Sequence, residues 1–358
     1  MPTNDVLDLK RKNSELLRED VAAKRSLYRG LPEVVSLYTT DICNLKCIMC
    51  PRAESQGSEK MPIEALERVA ETLFPTAWKV LVTAGAGEPL LAHFDLIREK
   101  VLEHQVRLDL ITNATLTTAD WYRKTRPALD HLNLSLDCHV PEVYESIRPG
   151  LGFERVDRNL RTIAKIRREE PDDVLMSISS VVMRRNLPHL PDFVRYAAEV
   201  GVDGVILQRL QHTVKGSPEE DPFTDPGEDE VRRILELTKQ AARDAGINVL
   251  AGELGDSGAM VKPIRNKVPV PMEGPDLCWF LAQNFGVIYT GDVYPCCMPT
   301  EYKLGNVLED DPRDIRNSSV ARELREGHFT RAHVPYCSGC MHAPHLGPAE
   351  HAQAPRDV

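Results

Sequence analysis

Six short apolar runs alternate with helical patterns between residues 34 and 210, and this alternation limits the fold more than any other feature of the chain. Strands separated by helices predict a parallel sheet with right-handed crossover connections. The apolar runs lie at 34–38, 79–83, 107–111, 131–136, 175–183 and 205–210, and the helical patterns at 62–73, 93–104, 118–126, 153–168 and 188–200. They predict an α/β protein, a partial (β/α)6 TIM-like barrel with its chemistry at the carboxyl ends of the strands.

The rest of the chain divides into an N-terminal extension and a smaller C-terminal part. Residues 1–33 predict a charged helical extension, 34–213 the barrel, and 214–270 an acidic linker followed by a helix and a strand. Residues 271–345 predict a small domain with a β-hairpin over 285–294, which turns at Gly291, and a helix near 320–326. Residues 346–358 are the tail, and the stretch 342–358 that contains it is rich in Pro, Ala and His.

The charge balance argues against two classes of partner. The chain has 44 Lys and Arg residues and 54 Asp and Glu residues, a formal net charge of −10. Nucleic acids and anionic membranes are bound by clustered positive charge, so we expect neither as a partner. The N-terminus lacks an apolar signal core, and no apolar stretch reaches the ~18 residues of a membrane-spanning helix. These patterns predict a cytoplasmic protein.

Nine cysteines, most of them in two groups, indicate metal binding, because the cytosol keeps thiols reduced. Cys43, Cys47 and Cys50 follow the first predicted strand with the spacing C-x3-C-x2-C. Three thiolates can hold three irons of a [4Fe–4S] cluster and leave the fourth iron open to a small molecule. The alternative is a structural zinc site, but such sites usually supply four ligands.

The second group can supply four thiolates. Cys278 and Cys296 flank the predicted hairpin, and Cys337 and Cys340 form a C-x2-C pair further on. Four thiolates saturate one [4Fe–4S] cluster or one zinc ion, and the spacing alone does not separate the two. Cys297 is an unused neighbour or an alternative ligand. Cys138 is a buried apolar filler or, at the catalytic edge, a hydrogen-atom donor.

The first cysteine loop resembles that of the radical S-adenosylmethionine (SAM) enzymes. In that family SAM binds the open iron, and one-electron reduction cleaves it to methionine and a 5′-deoxyadenosyl radical that takes a hydrogen atom from the substrate. The stretch from Gly85 through Gly87 and Glu88 resembles the family motif that holds the SAM ammonium. Asn113, after the third predicted strand, resembles a further polar SAM contact. The resemblance implies SAM as cofactor and a one-electron donor such as flavodoxin or ferredoxin.

Three more residues are candidate SAM contacts. The fourth predicted strand ends in Ser135, Leu136 and Asp137, and its alternation places Ser135 and Asp137 on one face, where they could bind ribose hydroxyls or the SAM ammonium. Arg148 is either a partner of the SAM carboxylate or half of a surface ion pair.

The second cysteine group resembles the auxiliary-cluster extension called SPASM, or Twitch in its one-cluster form. No cysteine follows Cys340, so the one-cluster form is the better match, and we expect two [4Fe–4S] clusters in total. The pattern resembles radical SAM dehydrogenases and dehydratases that act on sugars, aminocyclitols or nucleosides in antibiotic biosynthesis. An auxiliary cluster can accept an electron from a substrate radical, and no N-terminal peptide-recognition domain is evident.

These observations favour a small polyhydroxylated substrate. We expect hydrogen abstraction from a hydroxyl-bearing carbon, followed by dehydrogenation, 1,2-diol dehydration or epimerisation. Two alternatives stay open: a SPASM-type peptide maturase, and a zinc-stabilised binding protein without catalysis. Candidate substrate residues are Arg184, Gln208 and Arg209, with Cys138 as a candidate hydrogen-atom donor.

Overall fold

The computed structural model describes residues 4–50, 57–83, 85, 87–211, 217–224, 227–254, 258–261, 278–296, 302–330, 332 and 337. Its strands are β1 Val34–Tyr38, β2 Lys79–Val82, β3 Arg107–Thr112, β4 Leu129–Ser135, β5 Leu175–Val182, β6 Gly204–Arg209, β7 Asn248–Leu250, β8 Asn284–Ile288, β9 Asp292–Tyr294 and β10 Gly305–Asn306.

Its helices are α1 Asn4–Ala22, α2 Ile63–Leu73, α3 Phe94–Glu103, α4 Ala119–Thr125, α5 Pro141–Ile147, α6 Phe153–Glu169, α7 Leu190–Val200, α8 Ser217–Glu220, α9 Glu228–Ala245, α10 Trp279–Gln283, α11 Pro312–Arg316 and α12 Ser319–Thr330. Short 3-10 turns lie at Pro89–Leu91, Leu187–His189 and Gly252–Leu254.

The described strands form one sheet in the order β10-β9-β8-β1-β2-β3-β4-β5-β6-β7. The predicted α/β class and partial barrel are confirmed, since β1 to β6 pair in parallel in chain order. The sheet is wider than predicted, because β7 extends it beyond β6 and β8 pairs in parallel with β1. The predicted C-terminal hairpin, β8 and β9, is therefore continuous with the barrel sheet.

The main core lies between this sheet and the helices that cover it. Strand β3 alternates half-buried and buried residues, whereas six of the eight residues of β5 are buried. Helix α2 presents one apolar stripe to the sheet, as the helical period requires. The residues of that stripe are Ala65, Leu66, Val69, Ala70 and Leu73. Within the described residues no helix combines the length and apolar character needed to cross a membrane.

A smaller second core joins α1 to the C-terminal helices. Leu17 of α1 and Tyr28 pack with Leu324 of α12 and with residues of α10. The guanidinium groups of Arg316 and Arg325, both 2% exposed, lie over the Tyr28 ring at 4.9 and 4.0 Å from its centroid. The N-terminal helix thus anchors the segment that carries the second cysteine group.

Replacing Arg325 with Ala is expected to destabilise this second core. Its guanidinium donates to the carbonyl oxygens of Ser26 at 2.7 Å and Arg316 at 2.6 Å, and buried acceptors without a donor cost about 1–3 kcal/mol each. Loss of a desolvated cation offsets part of this cost, so we expect a net loss of about 2–4 kcal/mol. Urea unfolding measures it, with the exposed Arg322→Ala on the same helix as control. Equal stability of the two variants would contradict the prediction.

Candidate functional site

The three clustered cysteines lie on the loop that follows β1. Cys43, Cys47 and Cys50 are all half-buried, and all three line one cavity of about 280 Å³. The cavity lies at the carboxyl ends of the parallel strands, where this fold class places its chemistry. Its wall is completed by residues of the loops after β2 and β3, of strands β4, β5 and β6, and of the turn after α5. They include Gly85, Gly87, Glu88, Asn113, Asn133, Ser135, Arg148, Ser179 and Gln208.

Glu88 connects the loop after β2 to the loop after β3. Its carboxylate is 1% exposed and accepts hydrogen bonds from the backbone N–H groups of Leu90 (3.1 Å) and Asn113 (2.9 Å) and from the hydroxyl of Thr112 (2.7 Å). Burial raises the pKa of this carboxyl group, and the three donors act in the opposite direction. These donors use three of about four lone-pair sites. Glu88 therefore braces two loops and keeps about one acceptor site for a ligand such as an ammonium group.

Gly87 allows the loop after β2 to approach the backbone of the cysteine loop. The N–H of Glu88 donates to the carbonyl oxygen of Ile42 at 2.8 Å. A Cβ on Gly87 would lie 2.5 Å from that oxygen and 2.7 Å from the carbonyl oxygen of Thr40. A Cβ on Gly85 would lie 2.6 Å from Cε1 of Tyr38. Both glycines are thus required by close packing around the cysteine loop.

Replacing Gly87 with Ala is expected to displace the cysteine loop. The added methyl group would overlap two backbone oxygens, which cannot rotate away, and overpacking of this kind costs about 1–3 kcal/mol. We expect a lower melting temperature and weaker retention of iron after anaerobic reconstitution. Gly252→Ala is the matched control, because a Cβ there meets no atom within 4 Å. Full iron retention by both variants would show that the loop does not depend on this contact.

Asn113 braces the cysteine loop from the other side. Its Nδ2 donates to Oδ1 of Asn44 at 2.7 Å, and its Oδ1 accepts from the N–H and the hydroxyl of Thr115 at 3.0 and 2.6 Å. Asn44 in turn donates to the Thr115 hydroxyl at 2.8 Å. Sequence reasoning missed Asn44 and Thr115. The position of Asn44 directly after Cys43 was the available signal.

Asp137 is not placed as the strand alternation predicts. Strand β4 ends at Ser135, so the alternation does not continue to Asp137, which is fully buried. Its carboxylate accepts hydrogen bonds from Nε of Arg148 and from the N–H of Val181, the latter at 2.8 Å. Asp137 thus forms a buried ion pair with Arg148, and its contact with ribose or ammonium stays a prediction. Arg148, 8% exposed, is not in a surface ion pair and lines the cavity.

Polar side chains from three neighbouring strands line the cavity next to the cysteines. They are Asn133 and Ser135 of β4, Ser179 of β5 and Gln208 of β6. Oδ1 of Asn133 is buried and has no hydrogen-bond partner, which is costly unless a ligand satisfies it. Sequence reasoning named Ser135 and Gln208 but missed Asn133 and Ser179. An unsatisfied acceptor beside serine hydroxyls fits the hydroxyl and amino groups of SAM.

The thiols suit a cluster better than a single ion. Burial raises the pKa of Cys43 and raises that of Cys47 to about 11, so neither is a thiolate at neutral pH without a metal. Coordination to iron removes the thiol proton. In the part of the chain that the structure describes, no three His, Cys, Asp or Glu side chains converge on a single-ion site. Three thiols spread over one cavity fit a cluster in which each binds its own iron.

The remaining candidate substrate residues lie apart from the cavity wall. Arg184 donates to the carbonyl oxygen and the hydroxyl of Thr224, at 2.7 and 2.9 Å. The guanidinium of Arg209 lies 4.3 Å from the ring centroid of Phe223. Cys138 is fully buried, its pKa is raised by burial, and it does not line the cavity. Among these candidates only Gln208 reaches the cavity, and the substrate roles of the others stay predictions.

Two cysteines of the second group lie in the smaller core. Cys278 directly precedes α10 and Cys296 follows β9, and both pack in the cluster that contains Tyr28. Cys337 is half-buried. Cys297 and Cys340 lie outside the described residues, so the complete set of four thiolates stays a prediction.

Residues 37–197 match the family model of the Radical SAM superfamily, and residues 278–341 match that of the iron-sulfur cluster-binding domain SPASM. The chain thus carries a radical SAM domain followed by a SPASM domain. The expectations of an enzyme, of SAM with a [4Fe–4S] cluster, and of auxiliary iron–sulfur binding are confirmed at this level, because members of the superfamily are enzymes with these cofactors.

Curated relatives match about half of the chain. The PqqA peptide cyclase of Bradyrhizobium diazoefficiens is 27% identical over 51% of this chain and 48% of its own length. The GTP 3′,8-cyclase of Limosilactobacillus fermentum is 27% identical over 49% of this chain and 54% of its own length. The chain therefore spans only about half of each of these relatives.

Solved structures share the fold across both domains. The structure of Streptococcus suis SuiB bound to its precursor peptide SuiA is 17% identical, with a TM-score of 0.60, and covers 87% of this chain and 69% of its own. The structure of anSMEcpe with bound AdoMet and the Cp18Cys peptide is 19% identical, with a TM-score of 0.56, and covers 83% of each chain. These similar structures hold peptides, so the resemblance to sugar and nucleoside enzymes is not confirmed.

Proposed function

We propose that this protein is a radical SAM enzyme that modifies a peptide, with an auxiliary iron–sulfur cluster in its SPASM domain. When bound, SAM and the clusters supply one-electron chemistry that removes a hydrogen atom from the substrate and accepts an electron from it. This proposal replaces the polyhydroxylated small molecule as the preferred substrate. The observation that carries it is similarity to SuiB and anSMEcpe over more than four-fifths of the chain, both solved with peptides.

The size of the cavity supports a substrate that enters from outside. Its volume of about 280 Å³ lies just below the range of roughly 300–1,000 Å³ that is typical of small-ligand sites. The cysteines, Asn133 and Ser135 in its wall are the groups that would hold the cluster and SAM. A cluster and SAM held by these groups would fill this space, so a substrate would meet SAM at the rim of the cavity. One side chain or backbone carbon of an extended peptide can reach SAM from that rim.

The chain's own residues would orient these groups. The three thiols would hold the cluster, and Asn133, Ser135 and Ser179 offer hydrogen-bonding groups to the ribose and amino groups of SAM. Glu88 and Asn113 keep the loops in register, as their hydrogen bonds indicate. Among the polar residues of the cavity wall, Gln208 on β6 lies furthest along the sheet from β1 and its cysteine loop. We propose that it faces the substrate.

A small hydroxylated substrate is the second candidate. Gln208 and Ser179 are neutral polar groups of the kind that bind hydroxyls, and one relative is named for cyclising GTP. In this case the product would be a ketone, a dehydrated sugar or an epimer. The zinc-stabilised binding protein is not supported, since both domains match iron–sulfur or radical SAM families.

An anaerobic assay separates these candidates. Reconstituted protein is incubated with SAM and dithionite, with either a pool of synthetic 20-residue peptides or a panel of sugars, aminocyclitols and nucleosides. We expect the peptide pool to stimulate 5′-deoxyadenosine formation and to yield a peptide lighter by two hydrogens. Stimulation by the small-molecule panel alone would contradict the peptide assignment. Absence of SAM cleavage in every arm, with clusters intact, would contradict both candidates.

A further inference from the structure

The guanidinium of Arg148 contacts a cysteine of the first cluster loop. Its Nη1 lies 3.6 Å from Sγ of Cys47, within the range of an N–H···S hydrogen bond. The Arg148 side chain is 9% exposed, so little water competes for this donor. A buried cation that donates to a cysteine sulfur is poised to act on any metal cluster bound there.

The backbone holds the two residues together. The N–H of Lys46 donates to the carbonyl oxygen of Pro149 at 2.9 Å, and the N–H of Ile48 donates to the carbonyl oxygen of Ile147 at 3.0 Å. These two hydrogen bonds bracket the pair formed by Cys47 and Arg148. The segment that carries the arginine is thus joined to the cysteine loop, and the contact does not depend on a chance rotamer of a long side chain.

Asp137 fixes the guanidinium from behind. Its carboxylate accepts from Nε of Arg148 and, at 2.8 Å, from the N–H of Val181. Its backbone oxygen accepts from Nδ2 of Asn186 at 3.0 Å. Because Nε is held by Asp137, Nη1 remains directed at the sulfur of Cys47.

We propose that Arg148 sets the reduction potential of the N-terminal cluster through its hydrogen bond to Cys47, with Asp137 as the positioning residue. The inference rests on the cluster of the proposed function and not on its peptide substrate. Reduction adds one electron to the cluster and makes it more negative. A cationic donor at a ligand sulfur stabilises that state and raises the potential, since hydrogen bonds to sulfur and local charge both tune iron–sulfur potentials.

Replacing Asp137 distinguishes two explanations by the direction in which the reduction potential of the cluster moves. Asp137→Ala removes a buried negative charge, and that change alone would raise the potential of a nearby cluster. If Asp137 acts by holding the guanidinium, its removal frees Arg148 to leave Cys47, and the potential falls. The direction of the shift therefore separates a positioning role from simple electrostatics.

The test is an EPR-monitored redox titration of the reconstituted full chain without SAM or substrate. The N-terminal cluster is assigned as the component absent from a Cys43→Ala, Cys50→Ala variant. For Arg148→Gln we expect the ratio of reduced to oxidised cluster at the wild-type midpoint to fall about tenfold, which is about 59 mV for one electron. Asp137→Ala is expected to lower the reduction potential of the cluster as well. Arg161→Gln removes an exposed cation whose charge is screened, so this control variant should keep the wild-type potential.

Several results would overturn the proposal. An unchanged potential in Arg148→Gln would remove the role of the arginine, and a raised potential in Asp137→Ala would remove the positioning role. If Arg148→Gln does not assemble a cluster, the Asp137→Ala result decides alone. Loss of the peptide product with a wild-type potential would concern only the proposed function, because the titration uses neither SAM nor substrate.

Discussion

Replacing Cys47 with Ala is expected to remove the N-terminal cluster and to stop reductive cleavage of SAM. The cavity would lose one of its three thiolates, the one whose sulfur Arg148 contacts. Two thiolates hold a cubane poorly, so iron should fall from about eight to about four atoms per chain. Replacing a residue that only hydrogen-bonds to a metal ligand typically lowers metal affinity or activity by about 10–100-fold. Because Cys47 is itself a proposed ligand, we expect the formation of 5′-deoxyadenosine to fall by more than about 100-fold.

Cys138→Ala is the matched control for this experiment. Cys138 is also a buried thiol at the carboxyl edge of the sheet, but it does not line the cavity. We expect it to retain all of its iron and SAM cleavage. Iron analysis and chromatography of the nucleoside product measure both variants. A Cys47→Ala protein that keeps about eight irons and cleaves SAM would exclude this loop as the cluster site.

The cysteine loop could be predicted from sequence because its ligands are close in the chain. The spacing of Cys43, Cys47 and Cys50 predicts an iron–sulfur cluster without any knowledge of the fold. The strand pattern then places this loop at the carboxyl edge of a parallel sheet, and the cavity at that edge confirms the location. Local information was enough for both conclusions.

The rest of the site depends on contacts between distant segments. Asn133 and Ser179 meet the cysteines only because β4 and β5 are neighbours in the sheet. Asp137 was misplaced because the end of β4, two residues earlier, could not be read from an apolar run that continues through Leu136. The pairing of β8 with β1 joins residues about 250 positions apart, and no sequence period records such a contact.

This pairing also brings the two cysteine groups into one structural unit. The ring of Tyr38, at the end of β1, packs beside Gly286 of β8: a Cβ on that glycine would lie 3.8 Å from Cε2 of Tyr38 and 3.2 Å from the carbonyl oxygen of Cys296. The same ring packs beside Gly85 in the cavity wall. One aromatic side chain thus packs against the loop after β2 in the cavity wall and against Gly286, which lies beside the backbone of Cys296.

Replacing Cys278 with Ala is expected to separate SAM cleavage from product formation. Cys278 is 8% exposed in the smaller core, away from the cavity wall that holds the first three cysteines. We expect the variant to retain about four irons and to form 5′-deoxyadenosine within about tenfold of wild type. The peptide product should fall by more than about 100-fold, because the substrate radical has lost the proposed acceptor of its electron.

Trp279→Phe is the matched control for Cys278→Ala, since it alters the next residue of the same small core without removing a thiol. It should keep iron, SAM cleavage and product. Mass spectrometry of the peptide and chromatography of the nucleoside are read from the same reaction. Normal product formation by Cys278→Ala would show that the second cysteine group does not take part in the oxidation. Loss of SAM cleavage together with product would instead indicate that this group supports the first cluster, because β8 of the smaller C-terminal part pairs directly with β1, which leads into the first cysteine loop.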